Sequence, residues 1–251
     1  MKITKIAGDN DRGFVCLTDK NEVKYVDDYV SGKVKPLPES PFENITGITG
    51  NNSSGPIVYN GNKVAYLNNY SIPEWIVIEP EAPFEIQGIA GYNSSGPIVY
   101  NGKKVAYLNN YSIQNWIVIE PEAPFEIQGI AGNNSSGPVV YNGNNVAYLN
   151  NYSIQNWVDL VENRAPFDIM GIAGDNINGC LVFNDRNFAH LNNYGNPVWI
   201  DQNDSPGAIN VITGDNVRGP IVLQEDNLVY NMSNYGTNTW NEIKLWVPYS
   251  S

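Results

Sequence analysis

The chain has 251 residues, 42% of them hydrophobic and 16% charged, and a formal net charge of −12 with only 14 Lys and Arg. A field of that sign repels polyanions, which argues against nucleic acid as a partner. No apolar run approaches the ~20 residues a spanning helix needs, so membrane insertion is not expected.

The first apolar segment, Ile-Thr-Lys-Ile-Ala-Gly at 3–8, opens a pattern that returns along the chain. Its glycines are Gly8, Gly50, Gly91, Gly132, Gly174 and Gly214, at spacings of 42, 41, 41, 42 and 40 residues. A fixed period in this range marks a repeat array, whose units bury their apolar faces only against one another. The expected units are 1–42, 43–84, 85–125, 126–167, 168–207 and 208–251, joined in one domain over 1–251.

The third unit shows the plan. Four apolar runs, IQGIAG, PIVY, VAYLNNY and WIVIE, are separated by Gly, Pro and Asn, and each is too short for an ordinary helix. Their Val, Ile, Tyr and Trp content suits strands. In the first run Gly88 and Ala90 leave one face nearly bare, as a strand near a central axis requires.

The first junction reads GxNxxG in all six units. Asn10, Asn52, Asn93, Asn134, Asn176 and Asn216 are expected to close compact turns by bonding forward to their own backbone, ahead of Gly13, Gly55, Gly96, Gly137, Gly179 and Gly219. The second junction carries Asn60-Gly61, Asn101-Gly102 and Asn142-Gly143, a signal for hairpins with type I′ turns. At the end of each unit, Pro41-Phe42, Pro83-Phe84, Pro124-Phe125 and Pro166-Phe167 mark the crossing to the next sheet, with Phe plugging the space between sheets.

Six four-stranded units predict an all-β, six-bladed β-propeller. The chain opens on a first-strand motif and closes on a fourth-strand motif, WNEIKLWV; whether the ring closes by strand exchange stays open, and if blade borders coincide with these motifs no strand is exchanged. Closure then rests on packing between first and last blades, with a linear array as the alternative.

Little here suggests catalysis. His190, the single imidazole, stands where other units have Tyr25, Tyr66, Tyr107 and Tyr148, and reads as a packing residue. Cys16 and Cys180 occupy different repeat positions and read as strand-packing thiols, so zinc is not expected. Asp9-Asn10-Asp11, Asp175-Asn176 and Asp215-Asn216 gather oxygens, but units two to four place Asn51, Tyr92 and Asn133 there, which favours turns over calcium loops. No catalytic set, metal or cofactor is expected. The Asn-x-Ser/Thr triplets at Asn44, Asn69, Asn110 and Asn151 read as incidental. The N-terminus lacks the apolar core of a cleavable signal, leaving cytoplasmic residence or export by a non-Sec route.

The segment between third and fourth strands is the candidate ligand site. Its polar and aromatic set comprises Asn69, Tyr70 and Trp75, then Asn110, Tyr111 and Trp116, then Asn151, Tyr152 and Trp157. Units five and six continue it with Asn193, Tyr194 and Trp199, and with Asn234, Tyr235 and Trp240, while unit one has Asp27-Asp28-Tyr29 and Val34. Amide and phenol groups offer directional bonds to hydroxyls, and an aromatic face covers the C–H face of a sugar. The competing reading makes each Trp a wedge between blades and each Asn pair a turn.

Six short four-stranded units with a glycine turn and a repeated Trp resemble the bacterial and invertebrate propeller lectins of the tectonin type. The resemblance covers the architecture of the whole chain; the Asn-Asn-Tyr segment and the Asn-Gly hairpin depart from it. It implies carbohydrate binding at several equivalent sites without catalysis, hence a multivalent lectin-like protein whose partners are glycans or glycoconjugates. The alternative is a scaffold for a protein partner, using one nonrepeated patch drawn from Asp11, Arg12, Arg186, His190, Asn203, Asp204 and Arg218.

Overall fold

The computed structural model describes residues 1–11, 13–150, 152–202, 205–234 and 239–247, the side chains at 233 and 234 excepted. Its strands form six antiparallel sheets, each of four consecutive strands in sequence order. The third blade is representative, with strands Gly88–Ala90, Ile98–Asn101, Lys104–Leu108 and Trp116–Val118 from the axis outward. The fold is the expected six-bladed propeller. Among the described residues no helix is long and apolar enough to cross a membrane.

The core is a ring of interfaces between neighbouring blades. Ile57, Val64 and Ile78 of the second blade pack with Val99, Ala106 and Leu108 of the third, and Phe84 closes over them as the Pro-Phe motif predicts. Second strands are therefore covered on both faces, and Ile57, Val58, Ile98 and Val99 are fully buried. Each such aliphatic contributes about 1.5–3 kcal/mol by leaving water.

The ring closes by the same means: Phe14, Val26 and Val34 of the first blade join Ile221, Leu223 and Val229 of the sixth. Among the described residues no sheet exchanges a strand across this seam. Main-chain contacts supplement the packing, since the Gly214 amide donates to the Gly8 carbonyl at 2.8 Å. The segment after the last strand also crosses onto the first blade. There Lys33 and Trp246 form a parallel bridge, and the Trp246 indole N–H donates to Ser31 at 2.7 Å.

Two local expectations are corrected. Asn60 pairs with Lys63 as the last rung of its ladder, so the two central turn residues are Gly61 and Asn62. Of these only Gly61 has positive φ, at 61°, which is the type II′ pattern instead of type I′. Secondly, the bare position at Gly88 serves its own blade. Tyr100 lies opposite Gly88, a Cβ there would stand 2.5 Å from the Tyr100 ring, and the Tyr100 hydroxyl donates to Gln128 of the next blade at 3.0 Å.

Candidate functional site

A four-stranded meander sends alternate connections to opposite ends of the ring. The GxNxxG turns and the Asn-Asn-Tyr segments share one face, called the turn face below; the Asn-Gly hairpins and the Pro-Phe crossings share the other.

The turn asparagines act between blades. The Asn93 amide donates to Ser54 and Leu67 of the second blade at 2.8 and 2.6 Å. Asn134 and Asn216 repeat the contact with Ser95 and Leu108, and with Asn178 and Leu191. Asn10 carries it across the closing seam to Arg218, Gly219 and Met232. The turn itself is capped one residue earlier. Asn51 accepts from the amides of Ser53 and Ser54 at 3.1 and 2.8 Å, and Asp175 does so from Ile177 and Asn178 at 2.8 Å each. In the third blade, where Tyr92 has no such acceptor, its main-chain carbonyl takes the Ser95 and Gly96 amides.

The predicted ligand residues lie along the same seams. The indoles of Trp75, Trp116, Trp157 and Trp199 donate to carbonyls of the preceding blade, at Pro38, Pro80, Pro121 and Asn163, over 2.9–3.1 Å. Trp240 packs edge-on against Phe188, with centroids 5.5 Å apart. Tyr70, Tyr111, Tyr152 and Tyr194 pack, tilted by 43–48°, against Tyr25, Tyr66, Tyr107 and Tyr148 of the preceding blade, with centroids 4.2–4.6 Å apart. Burial pushes the phenols of this first-named set up from their ordinary value. Asn69 and Asn110 cap their loops by accepting the amides at 71 and 72 and at 112 and 113, and Asn193 accepts that of Asn196. Asn151, Tyr235 and the side chain of Asn234 lie outside the described residues.

Of the nonrepeated residues, Arg218 and Asp11 meet at 3.9 Å on the turn face. Arg218 also contacts Asp9 at 3.4 Å and Asp215 at 3.2 Å. Arg186 follows a hairpin residue, Asp185, on the opposite face, and His190 is buried within a strand. These residues are divided between sites, while Arg12, Asn203 and Asp204 lie outside the described residues.

The residue after each repeat glycine forms the rim of the central channel: Asp9, Asn51, Tyr92, Asn133, Asp175 and Asp215, of which all but Tyr92 are buried. Burial, then the charges of Asp9, Asp215 and Asp175, push the Tyr92 phenol up. Burial also raises the Asp215 carboxyl. Among the described residues no group of three or more His, Cys, Asp or Glu side chains is placed to hold a metal ion. Cys16 and Cys180 are free and buried, which pushes both thiols up to about 12.

The turn face also carries exposed aliphatic side chains that the sequence did not single out. Val30, Ile72, Ile113 and Ile154 project from the segments before the outer strands, and Ile177 and Val217 from the turns, all 66–95% exposed. The signal was available: Ile recurs two residues after the Tyr of Asn-Asn-Tyr, in a loop otherwise polar.

Burial lowers the pKa of His190. The unfolded chain therefore holds the proton more tightly, so stability present above the unfolded value, about 6.5, is lost as pH falls toward the folded one. Thermal unfolding followed through that window should show an acid-side loss that His190→Tyr, restoring the residue of the other units, removes; an unchanged profile in the variant would assign the loss to other groups.

No protein family matches the chain, and no curated protein does. Among solved structures it is similar to a streptogramin B lyase, at 14% identity over 98% of this chain and 83% of that one, with a TM-score of 0.63. It is similar to the WD40 repeats of RRP9, at 10% identity over 88% and 72%, with a TM-score of 0.59. A chain of a mitotic checkpoint complex matches at 12% identity over 96% and 79%, with a TM-score of 0.58. At such identities the likeness establishes the propeller fold alone.

Proposed function

We propose that the protein is a non-enzymatic interaction scaffold that docks a protein partner on its turn face. The observation that carries this reading is the set of exposed aliphatic tips at Val30, Ile72, Ile113, Ile154, Ile177 and Val217, one on each blade and all on the turn face. Apolar side chains held in water on the same face of every blade offer a partner repeated anchor points. Similar structures that include WD40 repeats and a checkpoint assembly are in keeping with it. Replacing Ile72, Ile113 and Ile154 together by Ser should leave the fold intact and abolish retention of a stoichiometric protein partner from the source cells. Undiminished retention would place the partner elsewhere.

Glycan binding is the second reading, and one feature favours it. A notch of about 450 Å³ between the fourth and fifth blades is lined by Ser135, Ser136, Tyr148, Asn150, Asn176 and Tyr194, polar and aromatic groups suited to hydroxyls, together with Ile177 and Gly195. The Trp and Tyr residues of the candidate ligand set flank such seams, and the indole N–H groups of Trp75, Trp116, Trp157 and Trp199 are engaged by the preceding blade. Trp116→Ala separates wedge from pocket. Loss of about 2 kcal/mol or more of stability with unchanged ligand number supports the wedge; a stable fold that binds one sugar fewer on a glycan titration supports the pocket.

A further inference from the structure

We infer that Asn60 is a site of spontaneous deamidation, selected by the fold over three other Asn-Gly pairs. The pairs are Asn60-Gly61, Asn101-Gly102, Asn142-Gly143 and Asn178-Gly179. In this reaction the main-chain nitrogen after Asn loses its proton and attacks the side-chain carbonyl carbon, and ammonia leaves as a cyclic imide forms. Water then opens the ring at either carbonyl to give aspartate or isoaspartate. The net change is amide plus water to carboxyl plus ammonia, with no oxidant or reductant, and glycine offers no side chain to obstruct the attack.

Three of the four pairs are held. The Asn101 amide donates to the Glu85 carbonyl at 2.6 Å, and the Gly102 N–H, the attacking group, donates to Gln87 Oε1 at 2.9 Å. The next blade repeats both contacts, from Asn142 to Glu126 at 2.6 Å and from Gly143 to Gln128 at 2.8 Å. Asn178 is fixed through its main-chain and side-chain nitrogens by Asp175, and its carbonyl accepts from Asn216.

The second blade lacks this lock. Its approach to the first strand reads Phe42-Glu43-Asn44-Ile45-Thr46-Gly47, one residue longer than Phe84-Glu85-Ile86-Gln87-Gly88, and puts Thr46 where the clasping Gln stands elsewhere. The Thr46 main chain still bonds to Tyr59 at 2.8 Å, but among the described residues no hydrogen bond engages the Asn60 side-chain amide or the Gly61 N–H. Gly61 and Gly143 alike have no atom within 4 Å of the place a Cβ would occupy, so it is the hydrogen bonds that distinguish the two turns. Isoaspartate at residue 60 would lengthen the main chain at a tight hairpin, and either product adds a negative charge close in sequence to Lys63, which pairs with Glu81 at 3.7 Å.

The sequence supplies its own control, because Tyr-Asn-Gly-Asn occurs both at 59–62 and at 141–144. Folded protein would be incubated at mildly alkaline pH, digested, and the modified fraction at each pair followed by mass spectrometry. Asn60 should react about tenfold faster than Asn142, the factor expected when two further hydrogen bonds must open first. In denaturant the two rates should converge, and Gln128→Ala should accelerate Asn142 while leaving Asn60 unchanged. Equal rates in the folded protein, a difference that persists in denaturant, or no response to Gln128→Ala would overturn the inference.

Discussion

Gly179→Ala is expected to destabilise the protein by about 4 kcal/mol or more, among the largest effects of a single added methyl group. Gly179 starts the second strand of the fifth blade with φ +100°, and a Cβ would stand 1.9 Å from the Leu191 carbonyl oxygen. That oxygen belongs to the main chain and also receives the Asn216 amide at 2.7 Å, so it cannot withdraw without opening the seam to the sixth blade. The control is Gly143→Ala, where φ is +57° but nothing lies within 4 Å. Its cost should be the backbone term alone, about 1 kcal/mol. Thermal unfolding should separate the two variants by roughly 6–12 °C, given ~2–4 °C per kcal/mol for a chain of this size. Similar midpoints would mean that close approach between neighbouring strands does not limit this position.

The second large effect is expected at Asn93. Its amide satisfies two carbonyls of the preceding blade, and the residue is only 8% exposed. Asn93→Ala removes both bonds without supplying a replacement donor, and a cost of about 2–4 kcal/mol follows from two carbonyls left short of a partner. Asn93→Asp should be at least as harmful, since it directs a carboxylate at those oxygens. By contrast, Asn69→Ala removes only a loop cap open to solvent, and about 1 kcal/mol or less is expected. Equilibrium unfolding in denaturant measures the contrast. Equal losses at Asn93 and Asn69 would return Asn93 to the role of a simple turn former.

These residues also show how far a single chain can be read. The period and the four strands per unit were legible because each is written in local patterns that repeat; the manner of ring closure was not, since it depends on how the first and last blades meet. Nor was the role of Asn93. Within one unit an Asn between two glycines looks like a turn residue, and only the neighbouring blade reveals that its amide reaches outward while Asn51 or Asp175 caps the equivalent turn. The hairpin type failed by one position of register, because Asn60 belongs to the ladder and not to the turn.

The candidate site was less legible for the same reason. Recurring Trp, Tyr and Asn attract attention as recognition residues, yet a propeller repeats its seams as faithfully as any pocket. Trp116 and Tyr111 both meet the second blade, through Pro80 and Tyr66. Ile72 and Ile113 looked ordinary in sequence; their exposure becomes informative only when folding places them on one face with Val30, Ile154, Ile177 and Val217.

The scaffold reading is tested most directly by native mass spectrometry of the protein and its Ile72→Ser, Ile113→Ser, Ile154→Ser variant, each recovered under mild conditions from the source cells. One protein partner per chain on the native form, absent from an equally folded variant, is the predicted result. Several glycans per chain with no protein partner, retained equally by both forms, would contradict the scaffold and restore the lectin.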